Sequence, residues 1–326
     1  MTLRPPYVSV LDPVGTAIDR VKTVLFRPFD LGRWFVIGFC AWLAQLGERG
    51  GGGGGGGGRA NTASWQTNDI RNEVRHGLEQ AKGFVLTNLD WLIPLAGAIL
   101  AVIVGLWLLV LWLNSRGQFM FLYCVAQNKA EVVNPWHQFR RHGNSLFGFR
   151  IALGLIAFVT AVVFLALGGT VAFVAATGAG FNYFTIAGIV CCSLLFLATI
   201  IVSAVVAKFT KDFVTAIMYG QTYSSVAAWH VLLDVLAFNK ARFFLYLLFQ
   251  IVIYMTCAVI VVAAACLTCG CGCCLFLLPY IGSVALLPIS VFQRSYSLYY
   301  LAQFGPEFNV IAPATVTVPP VPGPPA

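Results

Sequence analysis

Apolar and polar positions follow one recurring order along this chain: an amphipathic stretch, a basic residue, then a long uncharged apolar run. The clearest copy begins at Asn134, where Trp136, Phe139, Gly143, Leu146 and Phe147 fall on one helical face and His137, Arg140, Arg141 and Asn144 mostly on the other. Asn134 is expected to cap this helix, with Pro135 at the first helical position, where a missing N–H costs nothing. After Arg150 come 26 residues without a charge. A helix of that length measures ~39 Å and crosses a ~30 Å hydrocarbon layer with some tilt. The unit predicted is a helix lying on the membrane surface, an arginine at the headgroups, then a span.

The same order recurs elsewhere. Asp12-Pro13 repeats the cap-plus-proline start, and Val14, Ala17, Ile18, Val21, Val24 and Leu25 form an apolar stripe with Asp19, Arg20 and Lys22 opposite. Arg33 then precedes a short run over residues 34–46. Further runs are expected at 91–113, 151–176, 185–206, 243–267 and 275–292, Arg242 standing before the fifth. Between the first two lie nine consecutive glycines, residues 50–58. No Gly-Lys-Ser/Thr follows them, so they form a linker rather than a phosphate-binding loop. Ile70, Val74, Leu78 and Ala81 mark a short surface helix over 67–84. Thr177–Tyr183 is a short polar link, and 313–326 is an uncharged Pro/Val-rich tail expected to be disordered or polyproline II.

An internal repeat accounts for the recurrence. Trp-His stands 13 to 14 residues before two of the arginines, Arg150 and Arg242, at Trp136 and Trp229, and LYCVAQ (122–127) is echoed by LYYLAQ (298–303). A degenerate middle copy runs from Lys211 to Gln221. Three hairpins in one orientation would place the interfacial helices on one side.

Composition agrees with a membrane class: 59% of the 326 residues are hydrophobic, 10% are charged and the mean hydropathy is +0.83. The net charge of +8 is distributed by side. With six spans, fifteen Lys/Arg lie on one side and five on the other; were the short first run not to cross, the division would be ten and ten. Both termini are therefore expected in the cytoplasm, in a multi-pass protein of the cell membrane, with the first span an uncleaved signal anchor. The positive charge is assigned to anionic lipid headgroups, not to nucleic acid. The residues expected at that interface are Arg33, Trp136, Arg140, Arg141, Arg150, Trp229 and Arg242.

Candidate chemistry is sparse. The runs as bounded here hold no Asp, Glu, Lys, Arg or His, which argues against an ion-coupled transporter. Small residues at four-residue spacing (Gly97, Ala101, Gly105; Gly168, Ala172, Ala176, Gly180) are expected to pack helices together. Of ten cysteines, Cys40, Cys124, Cys191, Cys192 and Cys257 read as packing residues. The cluster Cys266, Cys269, Cys271, Cys273 and Cys274 has ligand spacing but no histidine or second pair nearby, so a tight turn or a disulfide ranks above a metal site. His137, His142 and His230 have neither a nucleophile nor a carboxylate pair beside them. No catalytic set, metal or cofactor is expected.

The stretches FRPFDLGRWFVIGFCAWLAQLGE, PWHQFRRHGNSLF, LLPYIGSVALLPISVF and LYYLAQFGPEF resemble an uncharacterised group of bacterial multi-pass membrane proteins. The architecture is similar to the membrane domain attached to some glycerophosphodiester phosphodiesterases, over roughly residues 10–308. That resemblance implies structure and no catalysis. The His-Arg-Gly start of the phosphodiesterase barrel has no match, and Arg141-His142-Gly143 is in the wrong order. The expectation is an all-α polytopic membrane domain over 1–312, with six transmembrane helices in three hairpin-like repeats, cytoplasmic amphipathic helices and an extracytoplasmic insert at 47–90. Its expected role is a non-enzymatic scaffold or accessory subunit that binds lipid or a protein partner. The alternative is a transporter or pore for an uncharged or amphiphilic substrate.

Overall fold

The computed structural model describes residues 8–47, 89–174, 183–267 and 279–311. The glycine run, the 67–84 helix, most of the 177–183 link, Cys269 to Cys274, the start of the sixth apolar run and the Pro-rich tail lie outside the described residues. Two compact units are present, one formed by residues 45–114 and one by residues 1–44 with 115–326.

Every regular element among the described residues is helical. In chain order they are α1 (Asp12–Val21), which continues as a π-helical turn (Lys22–Phe26), α2 (Leu31–Gln45), α3 (Leu89–Gln127), α4 (Val133–Gln138) and α5 (Arg140–Val174). Then come α6 (Tyr183–Phe209), a π turn (Thr210–Val214), α7 (Thr215–Gln221), α8 (Ser225–Phe238), α9 (Lys240–Leu267), α10 (Pro279–Ala285), α11 (Leu287–Ala302) and a 3₁₀ turn (Pro306–Phe308). Among the described residues four stretches are long and apolar enough to cross a membrane: Ile93–Gln127, Arg140–Val171, Ile186–Gln221 and Lys240–Leu267. The first and sixth apolar runs correspond to α2, of 15 residues, and to α10 with the start of α11.

The helices outrun the spans expected of them. α3 has 39 residues, about 58 Å of helix. The helix that begins as α6 continues through its π turn to Gln221. Asn114, Ser115, Arg116, Lys208 and Asp212, which mark the ends of spans in the hydropathy pattern, are thus inside helices. Helix propensity tolerates such side chains where tertiary partners satisfy them.

Helix starts also differ from expectation. Asp12 opens α1 without a side-chain cap; instead Ser9 Oγ accepts from the amides of Leu11 and Asp12, each at 3.2 Å. Asn134 is no cap either. α4 begins at Val133, and the Asn134 amide donates to the Glu131 carboxylate at 2.8 Å. The chain kinks at Phe139, although Gly143 N still donates to Phe139 O at 2.9 Å. A true cap is Ser224, whose hydroxyl accepts from Ala227 N at 3.4 Å.

In the larger unit the packed core lies toward one end of the long helices. Phe119 to Leu122, Cys124 and Val125 of α3, Leu146 of α5, Phe213 to Met218, and Tyr296, Leu298, Tyr300 and Leu301 of α11 are buried together. Aromatic rings supply much of it, with centroids 4.9 Å apart for Phe213 and Tyr246, and 4.7 Å for Tyr246 and Tyr300. Farther along, α5, α6 and α9 are apolar yet exposed, as at Leu155, Ile156, Phe158, Ile201 and Val259. A helix apolar all round and uncovered by protein is the surface expected of a lipid-facing span. α5 and α6 pack along one another, and α1 packs along α11.

Close helix approach occurs where glycine allows it, but not at the stripes expected. A Cβ at Gly117 would sit 2.6 Å from the Leu43 carbonyl carbon, so α3 meets α2 backbone to backbone. One at Gly38 would sit 2.6 Å from Val284 Cγ2, joining α2 to α10, and Tyr280 OH donates to Phe35 O across the same contact at 3.0 Å. At Gly97, Gly105 and Gly168 an added Cβ meets nothing within 4 Å. Spacing alone selected those glycines, and they face open surface among the described residues.

Candidate functional site

The last carbonyls of a helix have no amide of their own to accept from. At the end of α3 two arginines supply the donors. Arg20 Nη2 donates to Val125 O and Ala126 O, each at 2.8 Å, and its Nε to Val125 O at 3.1 Å. Arg33 Nη2 donates to Asn128 O and Oδ1 at 2.9 and 3.0 Å, where Asn128 turns the chain with φ +55°. Arg20 is only 6% exposed, and burial lowers its pKa against the opposing influence of Tyr299. This corrects the sequence reading, which set Arg20 on the polar face; it lies on the buried side with Ala17 and Val24. The segment before α1 is tied down as well: Ser9 N donates to Gln303 Oε1 at 2.8 Å, and Gln303 Nε2 to Ser9 O at 3.0 Å.

Of the seven residues expected at the lipid interface, Arg140 and Arg141 are exposed, as is His137 beside them. Arg33, Trp136, Arg150, Trp229 and Arg242 are half-buried. The Arg116 guanidinium lies 4.8 Å above the Trp136 ring, and Trp229 stacks on Phe149 at 6.0 Å. Those two tryptophans therefore pack against the protein on at least one face. His142 lies against Phe119 and Phe139 with ring centroids 6.0 and 5.9 Å away.

The densest polar chemistry is a cluster that the sequence reading missed. Lys208 Nζ lies 2.8 Å from Asp212 Oδ2 and donates to Tyr254 OH at 2.7 Å. Tyr246 OH donates to the same Asp212 oxygen at 3.0 Å, and Gln250 Nε2 donates to Tyr246 OH at 2.9 Å. Across from them Arg294 Nη1 donates to Lys211 O, and Nη2 to Thr215 Oγ1 at 2.7 Å. Asp212, Tyr246, Gln250 and Arg294 are all buried.

The π turn Thr210–Val214 departs from the regular i→i−4 ladder, and Arg294 donates to Lys211 O within it. Gln250 Oε1 and Arg294 Nε have no hydrogen-bond partner among the described residues. Counting back nine residues from Gln127, Gln221 and Gln303 reaches Gln118, Asp212 and Arg294, and all three are buried. The three stretches that end in glutamine thus each carry a buried polar group at one register.

Among the described residues cysteine chemistry is limited. Cys40 and Cys124 are fully buried with their sulfurs 3.9 Å apart, and Cys266 is an exposed free thiol. Among the described residues no three His, Cys, Asp or Glu side chains gather as metal ligands.

Residues 8–286 match the model of a family of unknown function (DUF7544), and the chain belongs to that family. No curated protein and no solved structure matches the chain.

Proposed function

We propose that this member of a family of unknown function is a six-span protein of the cell membrane that binds lipid or a protein partner without catalysis, as a scaffold or accessory subunit. One observation carries the reading. The polar groups of the larger unit are largely engaged with one another in a packed core, while α5, α6 and α9 present apolar surface uncovered by protein. Asp212 already accepts from Lys208 and Tyr246, so it is poorly placed as a general base. No cofactor or nucleic acid enters this reading. The likeness to the phosphodiesterase membrane domain belongs to it as architecture only.

Three hairpins are supported by how the long helices end. Gln127 and Gln221 are each followed by a left-handed residue, Asn128 at φ +55° and Thr222 at φ +56°. In the third copy Gln303 holds Ser9 instead. Two short spans complete the count: α2 and the α10–α11 run, which touch at Gly38 and Val284. The charge division then sets both termini in the cytoplasm, with Arg140 and Arg141 facing anionic headgroups.

The Lys208–Asp212–Arg294 cluster, in which Asp212 and Arg294 are buried, favours the second reading, a transporter or pore for an uncharged or amphiphilic substrate, because ionisable groups on membrane helices often mark transport paths. Purification in native lipid followed by mass spectrometry separates the two. A tightly held protein partner is expected for the scaffold; a stoichiometric small molecule lost in Asp212→Asn would replace it with transport.

A further inference from the structure

We propose that a cleft walled by α1, α9 and α11 binds one acyl chain of a bilayer phospholipid, which enters sideways from the membrane. The cleft has a volume of about 500 Å³, and its walls include Val14 and Ile18 of α1, Ile253 and Thr256 of α9, and Ile289 and Phe292 of α11. That is within the range of small-ligand pockets. Its one hydroxyl, on Thr256, already donates to Val252 O at 2.9 Å. A polar ligand would give up its bonds to water and gain none in return, whereas an aliphatic chain loses nothing by entering.

Two observations select a membrane lipid as the source of that chain. First, the α9 wall belongs to one of the four membrane-capable helices, Lys240–Leu267. Its wall residues Val252 and Ile260 are 51% and 55% exposed, so the cleft runs without a step into the uncovered apolar surface of the same helix. Second, α1, whose Val14, Ile18 and Val21 form the other wall, carries charge on its exposed side: Asp19 and Lys22 form an ion pair at 3.0 Å, and Arg27 is exposed after the π turn. An amphipathic helix of this kind rests at headgroup level, and Arg27 suits the phosphate of a lipid whose tail lies between α9 and α11. The proposal rests on the membrane placement of α9 given above.

The test uses the full chain, reconstituted in vesicles of phosphatidylethanolamine and phosphatidylglycerol, taken up in mild detergent and measured by native mass spectrometry. The wild type should retain one phospholipid per chain. Thr256→Trp and Ile289→Trp, which fill the cleft from two walls, should each lower retention at least tenfold. Val259→Trp, on the exposed face of α9 and not on the cleft wall, should leave it unchanged. Thermal unfolding identifies any filled variant that has lost its fold, and Ile18→Phe then fills the cleft from α1 instead. Equal retention in folded, filled variants overturns the proposal, as does finding a free fatty acid, a peptide or a second copy of the chain in place of the phospholipid. Alkaline carbonate extraction keeps the two readings apart. A chain stripped from membranes by carbonate removes the membrane function itself, whereas a chain that stays but retains no phospholipid removes only the cleft.

Discussion

The last turn of α3 ends in carbonyls that no further amide can reach, and the Arg20 guanidinium, itself buried, serves two of them. An unsatisfied buried acceptor costs ~1–3 kcal/mol, so Arg20→Met should destabilise the protein by about 2–4 kcal/mol even though its apolar volume is kept. Arg20→Lys should fall between, because an ammonium cannot reproduce the fork of donors. Thermal unfolding in one detergent measures both; an Arg20→Met variant as stable as wild type would mean that the carbonyls find other donors. The burial of Arg20 was legible in principle. It is three residues after Ala17 and four before Val24, on the inner face of α1, but sorting the helix by charge rather than by angle put it outside. That Asn134 does not cap was not legible, because the Asn-Pro pattern carries no information on the competing bond to Glu131 three residues before it.

At the scale of elements, hydropathy located the long apolar helices and misjudged where they stop. Lys208 and Asp212 read as the exit from a span, yet their i, i+4 spacing is itself what a continuing helix favours. The charges are there because the helix ends carry the core, not because the chain has left the helix. Arg294 of α11 is held against the π turn that contains Asp212, so the two groups should act as a unit. Asp212→Asn and Arg294→Met should each destabilise. The double variant should be more stable than the sum of the single losses by about 1 kcal/mol or more, since each single change leaves a buried charge less well compensated. Denaturation of the four proteins in one detergent gives the cycle; additivity within ~0.5 kcal/mol would show two independent sites.

For the whole molecule, composition and the length of the apolar runs were enough for an all-helical membrane chain, because both depend on totals and not on partners. Among the described residues four membrane-capable helices follow directly, while the first and sixth runs are short or partly outside those residues, so their crossing is a question of charge. With six crossings the Lys/Arg divide fifteen to five; with the first run not crossing they divide ten to ten and give no orientation. Reporter fusions decide between these, and the helices restrict where they can go. A junction at Gly117 would fall inside α3 against the backbone of α2, so it would disrupt the protein rather than report its side. Lys129 and Tyr223 are exposed in the connections that follow α3 and α7 and are suitable sites. Fluorescent-protein fusions there and at the C-terminus should fluoresce, as expected of the cytoplasm, and alkaline phosphatase at those sites should be inactive. Phosphatase placed at Ser64, in the insert, should be active. A cytoplasmic Ser64 with Lys129 still inside would mean that neither the first nor the second run crosses alone. An active phosphatase at Lys129 would invert the orientation and move Arg140 and Arg141 away from the anionic leaflet on which their proposed role depends.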